Sequence, residues 1–458
     1  MRALAVALAR AVRALVRRAG RGGTTAPGRV LLRLDPRAIG RLGARLGGGS
    51  VLVSATNGKT TTASMLAGAL ERAGFDVVRN RAGSNMNWGV ATALLDAGRR
   101  PGELGLFEVD EAWLGGVAAE LEPRMIVLGN LFRDQLDRYG ELETIADRWE
   151  ELAAARDGLS DLVLCADDPL VADLGRERAR VTYFGVEDDS VALAELQHAA
   201  DSKHCRRCGH AYEYEAIYMG HLGRYRCPNC GRERPAPQVA AERVALRGMA
   251  GSDVTFRTPA GSIEVRLPLP GLYNVYNALA ATAAALELGV PLDRIRDGLA
   301  GAAAVFGRVE TIPVAGRDVS ILLVKNPAGA NEVLRTLTLE DGSLDVWLAL
   351  NDGIADGRDV SWIWDADFEV LAGRVRRATC SGTRAEEMAL RLKYAGVDAP
   401  IAVDRDLGRS LDAAVADREP QSRGVGGGAP LFALPTYTAL LELRDLLADR
   451  GVAGRWSD

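Results

Sequence analysis

The stretch VLVSATNGKTTTASMLAGAL, residues 51–70, decides how the rest of the chain is read. Val51, Leu52 and Val53 are a short β-branched and apolar run, Ser54 to Gly58 are small or polar, and Thr60 to Leu70 carry helix formers at three- and four-residue spacing. That order is strand, tight loop, helix. Such a turn aims the backbone N–H groups of Thr56 to Thr60 and the positive end of the helix dipole at one point, where a triphosphate can sit. Lys59 then lies along the β- and γ-phosphates and the Thr60 hydroxyl holds magnesium. The expected nucleotide-binding set here is Thr56, Asn57, Gly58, Lys59, Thr60 and Thr61. The pattern G-x-x-x-x-G-K-[ST] is only partly met, because Val53 stands at its first glycine. An ordinary Gly-Lys helix start is the competing reading. Against it, the chain has only four lysines (Lys59, Lys203, Lys325, Lys393), and one falls at the phosphate-binding place.

At 458 residues the chain suggests two or three domains, and 48 % hydrophobic with 26 % charged residues is the balance of a globular protein. A net charge of −5 argues against a duplex nucleic-acid binder. Six cysteines are too few for a secreted disulfide framework, so a reducing cytoplasm is expected. The N-terminal MRALAVALARAVRALVRRAGRGG is not a signal peptide, since Arg10, Arg13, Arg17 and Arg18 cut its apolar run. It reads as a basic amphipathic helix, arginines to one side and Leu4, Leu8 and Leu15 towards the other, either docked on the first domain or laid on the inner face of the plasma membrane. The longest uncharged stretch, 267–286, contains Pro268, Pro270, Asn274 and Asn277 and does not read as a membrane span.

Apolar runs at 76–79, 104–109, 124–128, 161–165 and 181–184 alternate with helical stretches, which implies a parallel sheet covered on both faces with ligands at the strands' carboxyl ends. Polar residues follow those ends: Glu108, Asp110 and Glu111, then Asn130 and Asp134, then Asp167 and Asp168. Magnesium prefers carboxylate and hydroxyl oxygens beside a nucleotide, so Glu108 is expected to share it with Thr60. Any one of these acids alone reads as a solvated strand end or an ion pair.

Residues 201–236 interrupt the alternation. Cys205 and Cys208, then Cys227 and Cys230, form two C-x-x-C knuckles, each followed by a glycine, a spacing that closes a tetrahedron of thiolates round zinc. With four sulfurs and no open position, that zinc is structural. Redox dithiols or disulfides are the alternatives. Arginines and tyrosines interleave here, so a single-strand nucleic-acid platform is a rival. Beyond it, 244–267 suggests β-hairpins, and PLPGLYNVYNALAATAAALELG opens a helix. Capping explains Asn274 alone, whereas Asn274 with Asn277 leaves amides for a nucleotide base. Residues 301–307 look like a hinge, followed by strands at 320–324, 344–350, 375–379 and 431–434 and a last helix at 436–450.

Several segments together resemble the Mur ligase family, ATP-dependent enzymes that join amino acids onto peptidoglycan precursors through an acyl-phosphate. SATNGKTTT resembles its phosphate loop, with Ala55 for the usual glycine. LGNLFRDQLDRYGE resembles its metal-binding segment, with Gln135 for a histidine, and GLYNVYNALAA its nucleotide segment, with Tyr273 for a histidine. FGRVE and VKNPAGANEVL resemble its linker arginine, here Arg308, and its H-N-P turn, with Lys325 for the histidine. The resemblance covers about residues 45–340, without the family's usual N-terminal substrate domain, and the family's carbamylated lysine has no convincing counterpart. It implies ATP and magnesium, and an α/β architecture. The expected division is 1–45 as helix and lead-in, 46–305 as a Mur-ligase-like P-loop ATPase domain with a zinc-ribbon insertion at 201–236, and 306–458 as a C-terminal α/β, Rossmann-like domain.

The departures, the cysteine ribbon and NDGIADGRDVSWIWDADFE resemble one branch of that family. It works with a glutamine amidotransferase partner, GatD, to amidate the D-glutamate of the lipid II stem peptide. A glutaminase needs a cysteine activated by histidine, yet all four histidines lie in or beside the zinc segment, and Cys165 and Cys380 sit in apolar strands. Ammonia must come from elsewhere. The resemblance implies that the C-terminal domain lends an aspartate to the partner's Cys–His pair, and Asp352 is the candidate, with Asp356 and Asp359 behind it. Asn-Asp-Gly is also a plain turn signal. The rival readings are a zinc-ribbon nucleic-acid protein on a nucleotide fold and a non-catalytic scaffold.

Overall fold

Short runs of valine, leucine and isoleucine that are apolar at every position can be buried only between two helical layers, and such runs build the larger sheet. The computed structural model describes residues 2–18, 23–80, 84–98, 100, 102–134, 142–198, 200–302, 309–416 and 429–454. The first half contains α1 (Arg2–Arg18), α2 (Ala26–Leu34), α3 (Ala38–Gly43), β1 (Ser50–Ser54), α4 (Lys59–Arg72), β2 (Val77–Arg79), α5 (Asn87–Leu94), β3 (Leu104–Glu108), α6 (Leu114–Leu121) and β4 (Met125–Leu128). It continues with α7 (Leu142–Ala155), β5 (Asp161–Cys165), α8 (Pro169–Asp173), β6 (Val181–Val186), β7 (Glu213–Met219), β8 (Leu222–Arg226), β9 (Val239–Leu246), β10 (Ser252–Thr258) and β11 (Gly261–Leu267). Helices α9 (Leu272–Glu287) and α10 (Leu292–Ala300) complete it.

Nine of these strands form one sheet in the order β11-β10-β9-β6-β5-β4-β1-β3-β2. All neighbours from β9 to β2 are parallel, whereas β10 runs antiparallel to β9 and to β11. Every residue of β1, β3 and β4 is buried. The five strands expected in this region are present within two residues at each end. The hairpins expected at 244–267 are also present, but they extend this sheet rather than stand apart. The alanine-rich α9 buries nearly its whole surface and packs beside α4. The β7–β8 hairpin forms its own two-stranded sheet.

A second sheet holds β12 (Glu310–Val314), β13 (Arg317–Ile321), β14 (Leu344–Ala349), β15 (Val375–Ser381), β16 (Ile401–Val403) and β17 (Leu431–Pro435) in the order β12-β13-β17-β14-β15-β16. Around it lie α11 (Pro327–Thr338), α12 (Ala385–Tyr394), α13 (Leu407–Ala416) and α14 (Tyr437–Asp449). The strand expected at 320–324 begins and ends three residues earlier. The reason is a tight turn at Ala315 and Gly316, both at positive φ, which pairs Val314 with Arg317. The expected hinge falls largely on 303–308, outside the described residues.

Helix α1 is docked, but not through its leucines. Ala5 and Ala9 are buried, Arg10 donates to the Leu95 carbonyl at 2.7 Å, and Arg13 pairs with Asp96 at 2.8 Å. Leu4, Leu8 and Leu15 point outward and are 62 %, 44 % and 63 % exposed. No helix among the described residues is long and apolar enough to cross a membrane.

Candidate functional site

Strand β1 delivers the chain into a loop that Gly58 closes at φ 90°, a left-handed conformation that glycine adopts without strain. A Cβ at Gly58 would lie 1.9 Å from Asn277 Oδ1, so the close approach of α9 also demands glycine. The loop is held from the next strand's carboxyl end. Thr56 N donates to Asn130 O at 2.9 Å, Asn57 N donates to Asn130 Oδ1 at 2.9 Å, and Asn130 Nδ2 donates to Asn57 O at 3.0 Å. This corrects the expectation that the amides of Thr56 and Asn57 face an anion: they are spent on Asn130. The opening turn of α4 follows this clamp, and the N–H groups of Lys59 and Thr61 there lie in the helix's first turn, ahead of the first intrahelical bond from Thr62 N to Gly58 O.

Lys59 is buried, with Nζ 2.9 Å from Ala55 O and 3.0 Å from Glu111 Oε2. Burial alone would lower the pKa of this ammonium, but Glu111 first, then Asp110 and Asp134, raise it above 10.5. Burial likewise pushes Glu111 up, and Lys59 and Lys325 outweigh it, leaving the carboxyl below 4.5. Lys325, where the family carries a histidine, pairs with Asp134 and reaches Thr56 O at 3.5 Å. Asn326 caps α11 and exchanges side-chain hydrogen bonds with Asn57, so the second domain's first helix starts against the loop. Glu108 closes β3 beside β1, in register with Val53, and is buried with its backbone held by Asn80. It therefore sits on the strand neighbouring the one that leads to Thr60.

Asn274 and Asn277 do not carry idle amides, as expected from sequence. Asn274 Nδ2 donates to Pro270 O at 2.7 Å, Asn277 Nδ2 to Asn274 Oδ1 at 3.1 Å, and Thr62 Oγ1 to Asn277 Oδ1 at 3.2 Å. They brace α9 against α4, and each keeps a second amide hydrogen. Both line a cleft with about 90 Å³ of enclosed space that begins at Asn57 and Gly58 and runs between α9 and α11. Its walls are mainly apolar, with a few polar groups converging at the loop end. A separate polar cleft, between α1, β2 and α5, is lined by Arg13, Asp76, Asn80 and Asp96. Arg308, Gln135 and Asp137 lie outside the described residues.

The four cysteines converge: Cys205, Cys208, Cys227 and Cys230 have all their sulfurs within 4.8 Å of one another. Two pairs stand at 3.6 Å and 3.4 Å, close to the roughly 3.8 Å edge of a tetrahedron with sulfurs 2.3 Å from its centre. They are far beyond the ~2.05 Å of a disulfide, and no bond joins them. Gly209 and Gly231 share φ 73°, so the knuckles are matched turns. Asn229 and the His210 backbone hold the Cys208 thiol well below its ordinary value. The donor set fits zinc and leaves no position for a substrate. Cys165 and Cys380 are buried, and burial pushes the Cys380 thiol up to about 12.

The nucleic-acid rival loses its surface here. Tyr212, Tyr218 and Tyr225 are interior rather than stacked outward, while Arg206, Arg224, Arg226, Arg232 and Arg234 pair with Asp147, Asp189, Glu213, Asp173 and Asp167. The insert instead braces the segment after β4. Arg133 N donates to Asp201 at 2.9 Å, and His221 is buried against Phe132 and Asp168.

Asp352 follows β14 and is half-buried. Its carboxylate accepts from Thr383 Oγ1 and from Arg384 Nε, each at 2.8 Å, and the Thr383 bond, more than Arg384, holds it below its ordinary value. Asp356 faces inward onto Thr438 and Gly353, with burial raising its pKa, and Asp359 is exposed beside Ser361. Sequence reasoning missed the Lys59–Glu111 and Lys325–Asp134 pairs and the buried Glu332. Only the run of acids after each strand hinted at the first two.

Residues 53–285 match the Mur ligase middle domain and residues 323–440 the MurT ligase C-terminal domain. A MurT subunit of lipid II isoglutaminyl synthase from Staphylococcus aureus (strain N315) is 31 % identical over 444 residues, 97 % of each chain. The chain belongs to the MurT branch of the Mur ligase family. The corresponding Streptococcus pneumoniae subunit is 32 % identical over 442 residues, 95 % of this chain and 94 % of that one. Among solved structures, a pseudomurein peptide ligase type C from Methanothermus fervidus matches with a TM-score of 0.66 at 23 % identity, covering 90 % and 80 % of the two chains. The MurF ligase from Thermotoga maritima in complex with ADP matches at 0.62 and 15 %, covering 90 % and 82 %. At such identities these structures establish the fold alone, and it is a Mur-ligase-like α/β fold.

Proposed function

We propose that this MurT-family chain is the ATP-dependent ligase subunit that activates the D-glutamate carboxylate of the lipid II stem peptide for amidation to D-isoglutamine in peptidoglycan synthesis. The observation that carries the proposal is the buried ammonium of Lys59 at the opening turn of α4, in a chain similar to MurT subunits along nearly its whole length. A carboxylate oxygen attacks the γ-phosphorus and ADP leaves. Ammonia then attacks the acyl carbon and inorganic phosphate leaves. Lys59 and the α4 amides offset charge developing on the transferred phosphoryl oxygens, where electrostatics and positioning do most of the catalysis. Thr60 and Glu108 are the proposed magnesium ligands, and the ion would neutralise phosphate charge when bound. The test is a reaction with MgATP, lipid II and ammonium, scored by mass spectrometry for the amide and by ADP release. ADP without amide would refute the proposal.

The four cysteines are assigned to one structural zinc. Cys227→Ser should abolish the single zinc per chain found by elemental analysis and lower the melting temperature, because metal-binding energy is folding energy. A metal-free but equally stable wild-type protein would count against it. Ammonia is supplied by a glutamine amidotransferase subunit, GatD, since no described cysteine of this chain pairs with a histidine outside the zinc segment.

Helix α1 is assigned to the inner membrane face, where a lipid-linked substrate resides. Its outward Leu4, Leu8 and Leu15, with exposed Arg18 at the helix end, suit an anionic bilayer. Replacing the three leucines by glutamine should weaken binding to phosphatidylglycerol vesicles at least tenfold. Equal binding by the variant would remove the helix from that role.

A further inference from the structure

The cleft beside the phosphate turn contains one group that no role above uses. Glu332 lies on α11, is 1 % exposed, and neither of its carboxylate oxygens has a hydrogen-bond partner among the described residues. The Arg335 guanidinium has its Nη1 3.8 Å from Oε1, too far for a hydrogen bond. That guanidinium is committed to the carbonyls of Tyr218 and Val191, at 2.9 Å and 2.5 Å. Burial raises the Glu332 carboxyl to about 6 against the opposing pull of Arg335, in a place where a carboxylate without hydrogen bonds is costly. Packing alone does not call for an acid here: Ala328 one turn earlier and Val333 beside it are apolar and line the same cleft.

Its position along the helix says what it faces. Asn326, at the start of α11, touches Asn57 in the phosphate turn, and Glu332 is six residues further, about 9 Å along the axis. A carboxylate set back by that distance is removed from phosphate charge, which it would repel. It lines the same cleft as Tyr273 and Val333, and a carboxylate can only accept hydrogen bonds. On a nucleotide, the donors beyond the phosphates are the sugar hydroxyls and the exocyclic amine of the base.

We propose that the Glu332 carboxylate accepts a hydrogen bond from the nucleoside end of the bound nucleotide and thereby sets nucleotide selectivity. This rests on the reading of the cleft as the ATP site. A site that reads a donor rejects the analogue lacking it, because the acceptor is then left buried and unpaired.

The test is calorimetric binding of MgATP, MgITP and the 2′-deoxy and 3′-deoxy forms of MgATP to the full chain and to Glu332→Leu. In the wild type, the analogue without the recognised donor should bind about ten- to a hundredfold more weakly than ATP. ITP as the weak ligand identifies the amine, and a deoxy form identifies the sugar. In Glu332→Leu, ATP should fall to that analogue's level while the analogue is unchanged. The same substitution should raise the melting temperature of the nucleotide-free chain, because it removes a buried carboxylate that no hydrogen bond satisfies, a change opposite to that of a lost structural contact. Should the leucine variant not fold, the isosteric Glu332→Gln is expected to weaken ATP in the same direction. Unchanged selectivity in a folded variant, or none in the wild type, overturns the inference and leaves the ATP site standing. A wild-type chain that binds no MgATP overturns both.

Discussion

Replacing Lys59 by methionine should lower the rate of amide formation by about 10³-fold or more, since removing one preorganised donor from developing transition-state charge already costs 10²–10³. The structure adds a complication that the phosphate-loop pattern alone does not contain. Glu111 shares the buried site with Lys59 at 3.0 Å, so the single substitution strands a carboxylate and should cost about 3–5 kcal/mol of stability. Lys59→Met with Glu111→Gln removes both charges and should recover the melting temperature without recovering turnover. Rapid-quench assays with saturating MgATP, alongside thermal melts, separate the two effects. A double variant that turned over normally would end the assignment of Lys59.

The pH dependence follows from the same pair. The Lys59 pKa is raised in the folded chain, so its contribution is complete below 10.5 and is lost only as pH rises through the higher folded value. The Glu111 pKa is depressed, so its contribution is present above 4.5 and is lost as pH falls through the lower folded value. Between those limits the pair is intact. An activity profile that changes near neutrality must therefore reflect another group.

Asp352→Ala should reduce glutamine-driven amidation by about 10³- to 10⁴-fold, the usual loss when the acid of a nucleophile–His–acid triad is removed. Activity with ammonium salts should be unchanged, because the carboxylate plays no part in phosphoryl transfer. Thr383 and Arg384 hold the half-buried Asp352 carboxylate in one orientation, which suits the proposed role of orienting a partner's histidine. Asp356 provides the contrast, since its carboxylate serves Thr438 inside the domain. Asp356→Asn should lower the melting temperature without distinguishing glutamine from ammonia. Parallel assays with both nitrogen donors, in the presence of GatD, read the result directly. If Asp352→Ala lost both activities equally, the triad role would fall.

What could be read from the chain was whatever is written in consecutive residues. The strand, loop and helix at 51–70 are local, and so are the two cysteine knuckles with their glycines and the all-apolar strands that force a doubly covered parallel sheet. The short edge strands Glu310–Val314 and Ile401–Val403 escaped because an edge strand needs no apolar run, only a neighbour to pair with. The outward leucines of α1 escaped because amphipathicity shows that a helix has two faces without saying which one the domain takes.

The sequence by itself determined the chemistry on offer: a strand–loop–helix turn with a lysine at its helix start, a four-thiolate insert and a second α/β unit with an aspartate after one of its strands. The tertiary structure alone decided how those pieces act on one another. Lys59 meets Glu111 across 52 residues, Asn130 clamps the loop across 73, Lys325 meets Asp134 across 191 and Asn326 reaches Asn57 across 269. Such contacts leave no periodic trace, because a buried charge or amide finds its partner through the fold's geometry rather than through its neighbours in the chain. Glu332 is the extreme case: its carboxylate has no hydrogen-bond partner among the described residues, which only three-dimensional packing can reveal.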